Sequence, residues 1–116
     1  MKAFVTGSFA YGNPTVDSDI DLVVLIDKKD AGHLLNMADA PTTKEEAYGT
    51  DVDCQMRFGK LNIIGCYEPK VFDAWKRGTE QLVAVRPVTR ERAKGVLSVL
   101  VNAAQEQARD NIWVKK

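Results

Sequence analysis

Gly7-Ser8-Phe9-Ala10-Tyr11-Gly12-Asn13-Pro14-Thr15-Val16-Asp17-Ser18-Asp19-Ile20-Asp21-Leu22-Val23-Val24 is the stretch that decides how this chain is read. Ahead of it, Ala3-Phe4-Val5-Thr6 reads as a short strand that stops at Gly7, and Ser8 to Tyr11 open a short helix. Gly12-Asn13-Pro14-Thr15 is a turn signal. From Asp19 to Ile26 the residues first alternate polar and apolar and then become apolar on both faces. That is the pattern of a strand that leaves a wet edge and enters a core.

The chemistry follows from two pairs of residues. Side chains two apart on a strand point to the same side, with Cα atoms roughly 6–7 Å apart, so Asp19 and Asp21 share a face. Two such carboxylates repel each other unless a divalent cation sits between them; the plain alternative is a solvated strand edge. Hard oxygen donors suit magnesium, and Mg2+ also bridges substrate phosphates. Two ions about 4 Å apart can activate an attacking oxygen and stabilise a leaving one. Gly7-Ser8 sits where a strand runs into a helix, so backbone N–H groups are exposed there for a phosphate. The glycine permits close approach, and the serine hydroxyl adds a donor. Asp19 and Asp21 are thus candidate metal-binding and catalytic residues, and Gly7 and Ser8 candidate nucleotide-binding residues.

Further out, Asp30 is the expected cap of a helix through Leu34, Leu35 and Met37. Ala40-Pro41-Thr42 breaks it, and the capping box Thr43-Lys44-Glu45-Glu46 announces a second short helix. Residues 52–58 and 61–67 read as a hairpin turning at Gly59-Lys60, which pairs Phe58 with Leu61 and Arg57 with Asn62. One face then carries Cys54, Met56, Phe58, Leu61 and Ile63, a core face. The other carries Asp53, Gln55, Arg57, Asn62, Ile64 and Cys66, mostly polar and able to line a site. Glu68-Pro69 starts a helix with proline at its favoured first position. Phe72, Trp75, Thr79, Leu82 and Val83 follow its period, and Pro87 ends it. Thr89 caps a last helix whose apolar stripe is Ala93, Leu97, Leu100, Val101, Ala104 and Ala108.

Gly-Ser-x10-Asp-x-Asp, here GSFAYGNPTVDSDIDLVV, resembles the signature of the polymerase-beta-like nucleotidyltransferases, especially their minimal single-domain members. Tyr11-Gly12 and Ser18 reinforce the likeness, which covers residues 3–26 closely. A looser similarity, over Arg57 to Ile64 and the Phe/Trp helix after it, is to nucleotidyltransferase-like proteins of bacteriophages. The resemblance implies an α/β (α+β) fold: a small mixed sheet of about four strands with helices packed on it. It also implies Gly7 and Ser8 at a triphosphate, Asp19 and Asp21 on Mg2+, and transfer of a nucleotidyl group from a nucleoside triphosphate to an acceptor hydroxyl with loss of pyrophosphate. Such proteins usually carry a third carboxylate on a later strand, as base or metal ligand. By the hairpin register Asn62 stands there, though an amide is no base; Asp53 shares its face at the far end of the hairpin. Both are carried as catalytic candidates, with Asp51 and Glu68 as outsiders. Tyr11 either stacks on a base or packs in the core, and Arg57 and Lys60 either touch phosphate or form a solvated hairpin end. A domain lacking the third acid is a weak enzyme or a nucleotide-binding module without turnover; an antitoxin-like protein acting on a partner is a further alternative. The acceptor class (small molecule, protein or RNA end) is left open, as is completion of the site by a second copy or a partner protein.

The bulk numbers agree with this reading. With 116 residues and 45% hydrophobic content the chain fits one domain, residues 1–116. No run of about 18 apolar residues occurs, and Met1-Lys2-Ala3-Phe4-Val5-Thr6-Gly7 does not read as a signal peptide. The expectation is a cytoplasmic protein, not a membrane one. Cys54 and Cys66 are expected as buried thiols, and one histidine, His33, with no CxxC argues against a Cys/His zinc site. Net charge is zero but uneven. Residues 1–68 hold eleven acids and six bases, and residues 69–116 five acids and ten bases. That suits a site with a cation on one wall and phosphates on the other, or simply an acidic sheet under basic-faced helices.

Overall fold

The structure is a computed structural model and describes residues 2–39 and 46–114, the side chains of 46 and 110–114 excepted. Among the described residues six strands and four helices follow in the order β1 (Lys2–Thr6), α1 (Ser8–Tyr11), β2 (Ile20–Leu25), α2 (Lys28–Met37), β3 (Glu46–Ala47), β4 (Thr50–Asp51), β5 (Cys54–Phe58), β6 (Leu61–Cys66), α3 (Pro69–Ala84) and α4 (Arg90–Val114). Four strands make one mixed sheet in the order β1-β2-β6-β5. β2 runs antiparallel to β1 and parallel to β6, and β5 and β6 form the hairpin. The two-residue turn fixes the register expected from sequence, Phe58 opposite Leu61 and Arg57 opposite Asn62. The parallel pairing then sets Asp21 beside Asn62.

Strand alternation divides the sheet residues between two cores. Val24, Ile26, Cys54, Met56 and Ile63 pack on the α2 side, around Ala31. Val23, Ile64 and Cys66 pack on the other side, under α3 and α4, with Phe72, Trp75, Leu82, Ala93, Leu97, Val101 and Ala104. The apolar stripes of α3 and α4 meet there as their periodicity requires. Gly78 lets the helices approach so closely that a Cβ on it would lie 2.6 Å from Leu97 Cδ2. A buried hydrogen bond of 2.8 Å between the Thr6 and Thr79 hydroxyls ties β1 to α3. The two cysteines are buried and free, and they pack on opposite faces of the sheet.

Three expectations change. The cap of α2 is Asp27, whose Oδ1 accepts the Asp30 N–H at 2.8 Å, so the helix starts three residues earlier than read. The break at Ala40-Pro41-Thr42 and the capping box Thr43-Lys44-Glu45 lie outside the described residues, and Glu46 opens a strand. Finally, β3 and β4 form an unforeseen two-stranded ladder in which Ala47 pairs with Thr50. Its turn, Tyr48-Gly49, has φ of 55° and 76°, the doubly positive pair that a two-residue I′ hairpin demands.

Candidate active site

Asp19, Asp21, Asn62, Gln55 and Arg57 have one parity along their strands, so all stand on the sheet face that α3 and α4 cover farther along. Where that cover stops, a cleft of about 550 Å³ opens. These five residues and Ile64 form its floor; Ser8, Tyr11, Gly12, Asn13 and Ser18 one wall; Ala47, Tyr48, Val88 and Arg90 the other. The walls are tied together by the Val88 N–H, which donates to the Tyr11 carbonyl at 2.8 Å.

Gly7 sits between β1 and α1 with φ 75° and ψ −159°, a region that essentially only glycine occupies. A Cβ there would fall 2.4 Å from Asp21 Oδ2 and 2.8 Å from the Tyr48 hydroxyl. The glycine is therefore required twice, by its backbone conformation and by the carboxylate packed on it. The Gly7 carbonyl accepts the N–H groups of Ala10 and Tyr11, which turns the chain into α1.

Asp21 is held from two sides. Its Oδ2 accepts the Tyr48 hydroxyl at 2.8 Å, and its Oδ1 accepts Asn62 Nδ2 at 3.2 Å. Asp19 is held by charge: Arg57 donates to its Oδ2 at 2.7 Å, both side chains about two-fifths exposed. Burial pushes the Tyr48 hydroxyl well above the ordinary phenol range, with the neighbouring Tyr11 and Asp21 acting the same way, so it stays a donor. Arg90, at the start of α4, lies over the Tyr48 ring with its guanidinium carbon 5.5 Å from the centroid. Tyr48 also meets Trp75 edge to face at 6.0 Å.

The candidates named from sequence fall into three groups. Gly7, Ser8, Asp19, Asp21, Asn62 and Arg57 are brought together at the cleft. Tyr11 lines it but is 3% exposed, which favours the core reading. Its hydroxyl is buried without a hydrogen-bond partner among the described residues, and burial raises its pKa. Asp53 and Lys60 stand apart. Asp53 shares the parity of Arg57 but stands four residues before it, just ahead of β5 and about 13 Å away at the usual strand rise, and its Oδ2 accepts the Tyr67 N–H at 2.8 Å. Lys60 sits at the exposed hairpin tip. Its Nζ donates to the Val16 carbonyl and its own carbonyl accepts the Ile20 N–H, so it fastens the loop ahead of β2. Ser18 serves the turn ahead of β2, its Oγ accepting the Thr15 N–H at 2.8 Å. Tyr48 was missed; the Tyr48-Gly49 pair was its one trace in the sequence. Arg90 is one of ten bases in residues 69–116, and nothing local in the sequence sets it apart from the others.

A model of the nucleotidyltransferase domain family matches residues 1–78, from β1 through most of α3. The chain belongs to the nucleotidyltransferase domain family. No curated protein and no solved structure matches it. Membership makes a nucleotide the expected class of substrate and nucleotidyl transfer the expected class of reaction. The matched span holds Gly7, Ser8, Asp19, Asp21, Tyr48, Arg57 and Asn62, while Val88 and Arg90 reach the cleft from beyond it. No helix among the described residues is long and apolar enough to cross a membrane.

Nucleotidyltransferase domains generally work with divalent metals, and the donor set here bears on how many. Among the described residues no three His, Cys, Asp or Glu side chains cluster as a ligand group. Asp19 and Asp21 are two carboxylates on one face, and a Mg2+ commonly takes one or two carboxylates and completes its shell with substrate phosphates and water. The pair fits one ion held jointly with a triphosphate.

Proposed function

We propose that the cleft binds a nucleoside triphosphate with Mg2+ and transfers the nucleoside monophosphate to an acceptor hydroxyl. The observation that carries this reading is the contact of Gly7 with Asp21, in which a glycine-only backbone and a carboxylate pack against each other at the mouth of α1. On this reading Gly7 is the point of phosphate approach and Asp21 a metal ligand, and their packing against each other supports it, because a solvated strand edge has no reason to build such a contact. The cleft volume is in the range of small-molecule sites. Gly7 and Ser8 hold the phosphates, Asp19 and Asp21 hold the ion, and Arg90 and Tyr48 border the same space. When bound, the metal neutralises phosphate charge and stabilises the developing pyrophosphate. The acceptor oxygen attacks the α-phosphorus as the α–β bridging bond breaks. Asn62 is an amide with no basic site, so β6 supplies no carboxylate and the acceptor's proton passes to solvent water. General-base assistance typically contributes about 10²–10⁴-fold, and turnover is expected to be slow on that account. Asn62 also favours the second reading, nucleotide binding without turnover.

Calorimetric titration of ATP and the other nucleoside triphosphates, with and without Mg2+, tests the binding. Metal-dependent binding that disappears in Asp19→Asn and Asp21→Asn is expected. Equal binding by these variants, or no binding of any nucleotide by wild type, refutes the proposal. Pyrophosphate release in the same samples separates a transferase from a binding module.

A further inference from the structure

Asp21, Asn62 and Arg57 form a row across three neighbouring strands, set by register on β2, β6 and β5. The row lies on the cleft face, and adjacent members stand about 5 Å apart at the usual strand spacing. Asn62 turns an N–H toward Asp21 Oδ1, an arrangement that an anionic side chain at 62 would not make. One step further along the row stands a cation, and it reaches back over the floor to Asp19 at 2.7 Å. Arg57 has further company on its strand in Gln55, also on the cleft floor. Asp19, Asp21, Asn62 and Arg57 together carry two negative charges and one positive charge. One divalent ion between the carboxylates takes this group from a net charge of −1 to +1 before any phosphate is counted. A second would have to sit beside a guanidinium that already occupies Asp19, with an amide where a further anionic donor is needed. Guanidinium is always charged in proteins and matches carboxylate and phosphate oxygens equally well.

We propose that Arg57 takes the part of a second divalent cation: the cleft accepts a single metal ion with its nucleotide, and Arg57 provides the other positive charge. The inference rests on the nucleotide–metal reading above. Arg57 is a fixed charge that needs no metal supply, and Asn62 keeps the neighbouring place neutral so that the guanidinium is not drawn away from Asp19.

The test is a count. The full chain, in excess over the non-hydrolysable analogue α,β-methylene-ATP, is titrated with Mn2+. Bound ion is counted by electron paramagnetic resonance, while calorimetry on the same samples follows nucleotide binding. Wild type is expected to hold one Mn2+ per bound nucleotide, without the spin-coupling of a close ion pair. The double variant Arg57→Gln/Asn62→Asp is expected to hold two, spin-coupled, with Asn62→Asp alone remaining at one; circular dichroism establishes that each variant is folded. Two coupled ions in wild type overturn the inference while leaving the nucleotide reading intact. A double variant that stays at one ion overturns it as well, because Arg57 would then not be what limits the count. Failure of wild type to bind the analogue in the presence of Mn2+ overturns both.

Discussion

Replacing Gly7 by alanine asks the most of the site with the smallest change. At φ 75° and ψ −159° an L-residue is held in a region that costs of the order of 1–3 kcal/mol. The new methyl would also lie 2.4 Å from Asp21 Oδ2 and 2.8 Å from the Tyr48 hydroxyl, separations that real Cβ atoms do not tolerate. Asp21 has to turn away, which gives up at least one hydrogen bond to a charged acceptor, about 1.5–3 kcal/mol. Gly7→Ala should therefore cost roughly 3–5 kcal/mol, a large share of the ~5–15 kcal/mol that holds a typical domain together. Urea unfolding followed by circular dichroism reads the stability, and nucleotide·Mg2+ titration reads the site. Gly59→Ala is the control: its φ is 60° but a Cβ there meets nothing within 4 Å, so it should lose about 1–2 kcal/mol and leave binding unchanged. The argument fails if Gly7→Ala matches wild type in stability and binding, or if Gly59→Ala damages binding as much.

Three other outcomes are expected. Asn62→Asp puts a third carboxylate beside Asp21; it should lower stability without metal, recover it in millimolar Mg2+, and raise pyrophosphate release about tenfold or more, with an unchanged rate counting against Asn62 as the missing base. Gly78→Ala improves helix propensity by about 1 kcal/mol but drives a methyl to 2.6 Å from Leu97 Cδ2, so overpacking of about 1–3 kcal/mol should make it net destabilising. In a Leu97→Ala background the same change should turn stabilising, and urea midpoints of the four proteins decide it. Burial pushes the Cys66 thiol up to about 12 from 9.0, so the folded state keeps a proton that the unfolded chain has lost. Its contribution is complete below pH 9 and is lost as pH rises toward 12, by up to about 1.4 kcal/mol per pH unit. Unfolding free energies at pH 8, 9 and 10 should fall less steeply in Cys66→Ala.

The parts of the fold legible in the sequence were those with a period long enough to read. Asp19 to Ile26 alternates and then runs apolar, and Gly59-Lys60 is a turn of fixed length, so the pairing of Arg57 with Asn62 followed from counting alone. The stripes of α3 and α4 were equally plain. β3 and β4 are two residues each, too short for any periodicity, and Tyr48, the hydroxyl that holds Asp21, is in the turn between them. Arg90 looked like any cation on a helix because what makes it part of the cleft is the packing of α4, which no local pattern encodes. Asp53 shows the limit of face-counting: parity says which side of a sheet a residue is on, not whether it reaches a neighbour several residues along.

The hydrogen bond from the Val88 N–H to the Tyr11 carbonyl spans most of the chain. It means that the nucleotide-signature residues are synthesised long before the wall they face. A nascent chain that has emerged only as far as the end of α3 carries Gly7, Ser8, Asp19 and Asp21 but has neither Val88 nor Arg90, and the apolar faces of Trp75 and Leu82 still await α4. The cleft is thus among the last features the molecule acquires, and nucleotide binding would serve as a readout of completed folding rather than of the motif's presence.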